Sequence, residues 1–64
     1  MDVETEEQVR QLAALYRRHF EAKSYQEGSD ALAEAEAFQK RLATEHGQEH
    51  ARMVDAAAYR IGHG

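Results

Sequence analysis

The chain predicts an all-α fold, and three observations carry that prediction. Proline is absent from its 64 residues. Alanine, glutamate, glutamine, leucine and arginine, all strong helix formers, dominate the composition. Valine, isoleucine and threonine, from which strands are built, are sparse. A chain of this length makes one domain, 1–64, and buries too little surface to be comfortable alone. Small domains gain stability from disulfides, a metal, a second subunit or very regular helix packing. The absence of cysteine removes the first of these and fits a reducing, cytoplasmic setting.

The first helix is expected over about residues 5–27. Thr5-Glu6-Glu7-Gln8 has the spacing of a capping box, with Asp2 as an alternative cap one turn earlier. Glu4, Glu6 and Glu7 put negative charge where the helix dipole is positive. Val9, Leu12, Ala13, Tyr16 and Phe20 then recur at helical spacing, with Leu15 off the stripe. Glu27-Gly28-Ser29-Asp30 reads as the break, with Gly28 closing one helix and Ser29 or Asp30 capping the next.

The second helix is expected over about 31–61. Ala31, Leu32, Ala35, Phe38, Leu42 and Ala43 share one arc, in which Gln39 is the single polar intruder. A further stripe, Ala51, Val54, Ala57, Ala58 and Ile61, follows Gly47, and Gly62-His63-Gly64 reads as a frayed tail. Between them the stripe steps by fours through positions 46, 50 and 54, as in a coiled-coil stutter. A glycine inside a helix costs roughly 1 kcal/mol without having to break it. The reading that follows is a helical hairpin. Its single apolar face is then hidden by self-association into an antiparallel four-helix bundle, a homodimer. The alternative is a three-helix bundle broken at Gly47. The self-association face assigned on the first reading is Leu12, Tyr16, Phe38, Leu42, Val54 and Ile61.

His46-Gly47-Gln48-Glu49-His50 has the H-x-x-E-H spacing of the inverted zinc metallopeptidases. Such an enzyme needs a third ligand far along the chain and a walled cleft. Only 14 residues follow His50, with Asp55 their sole acid, and Gly47 loosens the motif from within. No nucleophile with a paired base, phosphate loop or di-iron motif occurs elsewhere, so the protein is expected to be non-enzymatic. His46 and His50 are most simply core or interface residues, although two histidines four apart also make a half-site for zinc or another transition metal. His19, on the first helix, is expected beside Phe38.

The net charge of −4 does not suit a nucleic-acid coat. Arg10, Arg17, Arg18, Lys40 and Arg41 nevertheless supply a basic side that would grip a phosphate backbone if it were uninterrupted. Tyr59 points away from Val54, and with Arg52 and Met53 it forms a candidate partner-binding patch. Neither a signal peptide nor a membrane span is expected from the acidic start and the short apolar runs. Arginine in excess of lysine and abundant alanine suit a high-GC bacterial or phage genome. The functional expectation is a small interaction module, an adaptor, inhibitor or regulator that presents a helical face to a protein partner. A nucleic-acid-binding regulator and a metal-binding helical protein are the alternatives.

Overall fold

The computed structural model describes residues 2–64, and helices account for most of them. They are α1 (Val3–Phe20), α2 (Tyr25–His46) and α3 (Gln48–His63). The break at Gly47 is real, so the chain is a three-helix bundle and the continuous helix over 31–61 is not formed. Gly47 has φ 94° and ψ 158°, a region of backbone space open essentially to glycine. The bend costs almost no hydrogen bonding. The Gly47 N–H still reaches Ala43 O at 3.0 Å, and its own carbonyl accepts from Ala51 N at 3.1 Å.

α1 is capped by Asp2, whose Oδ1 accepts from the Thr5 N–H at 2.7 Å. The capping-box reading of Thr5 is therefore corrected: Thr5 lies inside the first turn and is buried. That hydrogen bond, chiefly to the Thr5 backbone, holds the Asp2 carboxyl below the usual aspartate range. α1 stops at Phe20, seven residues short of the expected end. Ser24 caps α2, its Oγ accepting from the Glu27 N–H at 3.2 Å. Glu27 reaches back to the Lys23 N–H at 3.4 Å, closing a near-reciprocal cap. The connection is thus Glu21–Ser24, and Gly28 lies within α2 rather than at a turn.

Gly28 makes a close contact there instead. It is buried where α2 crosses the end of α1, and a Cβ on it would sit 3.3 Å from Ala22 Cβ. Its carbonyl accepts a hydrogen bond from His19 Nδ1 at 2.8 Å, which places His19 against α2's first turns and not beside Phe38. The close approach recurs at the other interface. A Cβ on Gly62 would come within 2.7 Å of Tyr16 Cβ and 3.0 Å of Ala13 O. Gly62 is therefore a packed contact of α3 on α1, and the expected frayed tail is helical through His63.

α1 and α2 run in opposite directions, as the pairings Gln8–His46, Tyr16–Gln39 and Arg18–Glu34 show. α3 returns alongside α1 in the same direction, bringing His50 to Gln8 and His63 to Phe20. The core is small and alanine-rich: Val9, Leu12, Ala13, Tyr16, Ala35, Leu42, Ala51, Val54 and Ala58. Leu12 and Val54 are its largest fully buried side chains among the described residues. Each is worth about 1.5–3 kcal/mol relative to exposure. Four of the six residues assigned to a self-association face, Leu12, Tyr16, Leu42 and Val54, are consumed in this intramolecular core. Phe38 is half-buried against it and Ile61 is half-exposed. The third helix, folding back through Gly47, covers the face that a hairpin would have offered to a second copy.

α1 packs more extensively on each of the other helices than they pack on one another. α2 and α3 therefore spread around it, in a flattened body of 34 × 22 × 14 Å. The accessible surface is 4615 Å², against about 4,200 Å² expected for a compact protein of 7.3 kDa. Between α2 and α3 a gap remains open.

Candidate functional site

That gap is an open groove of about 590 Å³. Small side chains, Ala33, Ala37 and Ala43 on α2 and Ala51 on α3, let its walls stay low. Glu36, Lys40 and Arg52 stand along it with charges of both signs, beside the neutral Gln48. Gln39 and Asp55 lie at its base, and both are tied to the buried Tyr16 behind them. The Tyr16 hydroxyl donates to Asp55 Oδ1 and accepts from Gln39 Nε2, while Gln39 also donates to Asp55. The polar intruder of α2 is thereby satisfied. Among the described residues no buried side-chain nitrogen or oxygen lacks a partner.

Burial, and next the hydrogen bond to Asp55, push the Tyr16 phenol well above its ordinary range. A phenol held protonated and already donating to a carboxylate is a poor acid catalyst. It is a good tie between three helices, and we read it so. The network was missed in the sequence because Asp55 falls at the margin of α3's apolar stripe. Gln39 inside the arc of α2 was the available signal.

Arg52, Asp55 and Tyr59 fall on one side of α3, at spacings of three and four residues. That side continues the groove toward an aromatic cluster at the far end of the bundle. Tyr59 packs edge-on against buried Tyr16 at 5.5 Å and against Phe20 at 5.6 Å between centroids. It also stacks on His63 at 5.6 Å, and His63 meets Phe20 at 5.3 Å. Phe20 and Tyr59 remain 43% and 48% exposed, so nearly half of each is open to a partner. Of the patch expected at Arg52, Met53 and Tyr59, all three are exposed. Arg52 is on the groove wall, and Tyr59 belongs to the aromatic cluster.

The basic residues are not one surface. Arg18 is paired with Glu34 at 3.1 Å. Arg17 reaches Glu21 at 3.8 Å and donates to Ile61 O at 3.2 Å. Arg41 lies over the Phe38 ring, 5.6 Å from its centre, and Lys40 stands in the groove. Arg10 is exposed in the N-terminal half of α1. Acidic Glu21 and Glu34 interrupt the stretch that a phosphate backbone would have to follow.

His46 is the last residue of α2 and His50 lies in the first turn of α3, so the Gly47 bend falls between them. Their rings nonetheless stay 4.9 Å apart between centres. Gln8 of α1 bridges them, its amide N–H meeting His46 Nε2 at 3.4 Å and its carbonyl accepting from His50 Nε2 at 2.7 Å. His50 is half-buried and His46 exposed. No group of three or more His, Cys, Asp or Glu residues is gathered for a metal among the described residues. None of the helices is long and apolar enough to cross a membrane. Comparison of the chain with protein-family models, with characterised proteins and with solved structures gives no match.

Proposed function

We propose that this protein is a non-enzymatic interaction module that seats an amphipathic helix of a partner protein in the α2–α3 groove. The open, alanine-lined groove is the observation that carries the reading. Small side chains allow a helix backbone to come close, and a fourth helix there would complete the bundle that three helices leave open. One turn of α3 beyond Asp55, Tyr59 packs on Phe20, and the exposed halves of the two rings suit an apolar anchor on the incoming helix. The mixed charges of Glu36, Lys40 and Arg52 would select its register. An adaptor or inhibitor works in this way, by occupying one helix of its target.

A catalytic reading has less to stand on. The groove is open to solvent, whereas small-molecule sites enclose most of their ligand. Its polar base is engaged with itself through Tyr16. Self-pairing is the second arrangement, in which the seated helix comes from another copy and a homodimeric four-helix contact results.

A photo-cross-linking residue placed at Ala37 in the groove, and separately at Ala14 on the exposed side of α1, tests the proposal in cells. Adducts formed at position 37 and not at 14, mapping to a helix and lost when Ala33→Arg fills the groove, are expected. Equal labelling from both positions, or none from position 37, would overturn it. Light scattering of the purified chain separates the two partners: a mass of two chains that falls to one in Ala33→Arg assigns the groove to self-pairing.

A further inference from the structure

We propose that His46, His50 and Gln8 form a single-chain site for a borderline divalent transition-metal ion, of the nickel, copper and zinc class. Both imidazole Nε2 atoms are aimed at the same small target, the Gln8 carboxamide, at 3.4 and 2.7 Å. Two nitrogens that reach one amide converge on a point that an ion can occupy.

The spacing then fits. A metal bound about 2.0–2.1 Å from Nε2 lies about 3.2 Å from the ring centre. With the two centres 4.9 Å apart, the angle at such an ion is about 100°, close to the tetrahedral value zinc prefers. A rotation of the Gln8 amide completes the set. Its carbonyl oxygen then turns to the ion, and both histidines carry their proton on Nδ1, leaving Nε2 lone pairs free. The setting is also anionic. Glu45 Oε1 lies 3.9 Å from His46 Nε2, and the Asp2 carboxylate is close enough to His50 to interact with its charge.

The three ligands come from three helices: α1, the last residue of α2 and the first turn of α3. An ion there binds the folded chain and not the unfolded one, and it holds the Gly47 bend from outside. The site is independent of the groove, so neither proposal depends on the other.

The test is a thermal melt of the full chain near pH 7.5 with Ni²⁺ or Zn²⁺ alone, with and without EDTA. At an ion concentration a hundredfold above Kd, Tm should rise by about 10 °C or more. EDTA should reverse the rise, and titration should give one ion per chain. His46→Ala and His50→Ala should abolish it, Gln8→Ala should weaken binding about tenfold, and His63→Ala should leave it unchanged. A rise that survives His46→Ala, or no rise in the unsubstituted chain, would overturn the proposal. So would a metal-dependent doubling of mass, because the ion would then be shared between chains. Circular dichroism of each alanine variant, at exposed or half-buried positions, checks that the fold persists.

Discussion

Tyr16 joins opposites: a ring in the core of an alanine-rich bundle and a hydroxyl that ties together Gln39 and Asp55 at the base of the groove. Removing that oxygen leaves Gln39 and Asp55 without their common partner. Tyr16→Phe should therefore cost about 1–3 kcal/mol in urea unfolding, the range for stranding half-buried polar groups. The same hydroxyl sets an alkaline limit. The folded chain keeps the phenol protonated at pH values where the unfolded chain, with an ordinary pKa near 10, releases it. Stability is thus intact below about pH 10 and falls by up to about 1.4 kcal/mol per pH unit above it. Tyr16→Phe should lose that slope, and the same slope in both proteins would refute the assignment. Of this network the sequence displayed one half. Gln39 stood out as the lone polar residue in its arc, and Tyr16 as an aromatic on the stripe of α1. Asp55 could not be joined to them without knowing how α3 is rotated.

At the scale of the helices, the element types were legible and several boundaries were not. Two signals competed for the first turn of the chain. Gly28-Ser29-Asp30 carries the residues of a C-cap followed by an N-cap, while Ser24-x-x-Glu27 carries a capping box. The second prevailed, and Gly28 lies inside α2 as a small residue packed close to Ala22 and His19 rather than as a turn. Propensity cannot distinguish a glycine that bends the chain from one that lets another helix approach. Ser24→Ala should accordingly lower stability by about 1 kcal/mol, the usual value of such a cap, whereas Ser29→Ala should be nearly neutral. Thermal melts of the two variants check this, and the reverse order would restore the turn at Gly28. The same holds for Gly62 at the other end: expected in a frayed tail, it packs directly on Tyr16 and Ala13 of α1.

For the whole molecule, composition was enough for the all-helical class and the stripes were enough for most of the core. The hairpin expected over 31–61 gives way to the alternative three-helix bundle, and the sequence favours the hairpin because positions 46, 50 and 54 keep their rhythm through the bend, where the hydrogen bonds flanking Gly47 persist. What separates the two architectures is one pair of torsions, φ 94° and ψ 158°. Any residue with a Cβ resists them by about 1–3 kcal/mol, which is a large share of what so small a core supplies. Right-handed helical torsions at position 47 would instead give a rod of about 58 Å from Tyr25 to His63. Its distal half would lie beyond the reach of its own α1 and could be satisfied only by the α1 of a neighbour. Gly47→Ala should thus populate an exchanged dimer, visible by light scattering as a doubled mass with helix content preserved; a variant that stays monomeric with its bend intact would show the strain is tolerated. The chain stands one methyl group from trading its third helix with a sibling, so the closure of the bundle within one chain is enforced by a single residue rather than distributed through its packing.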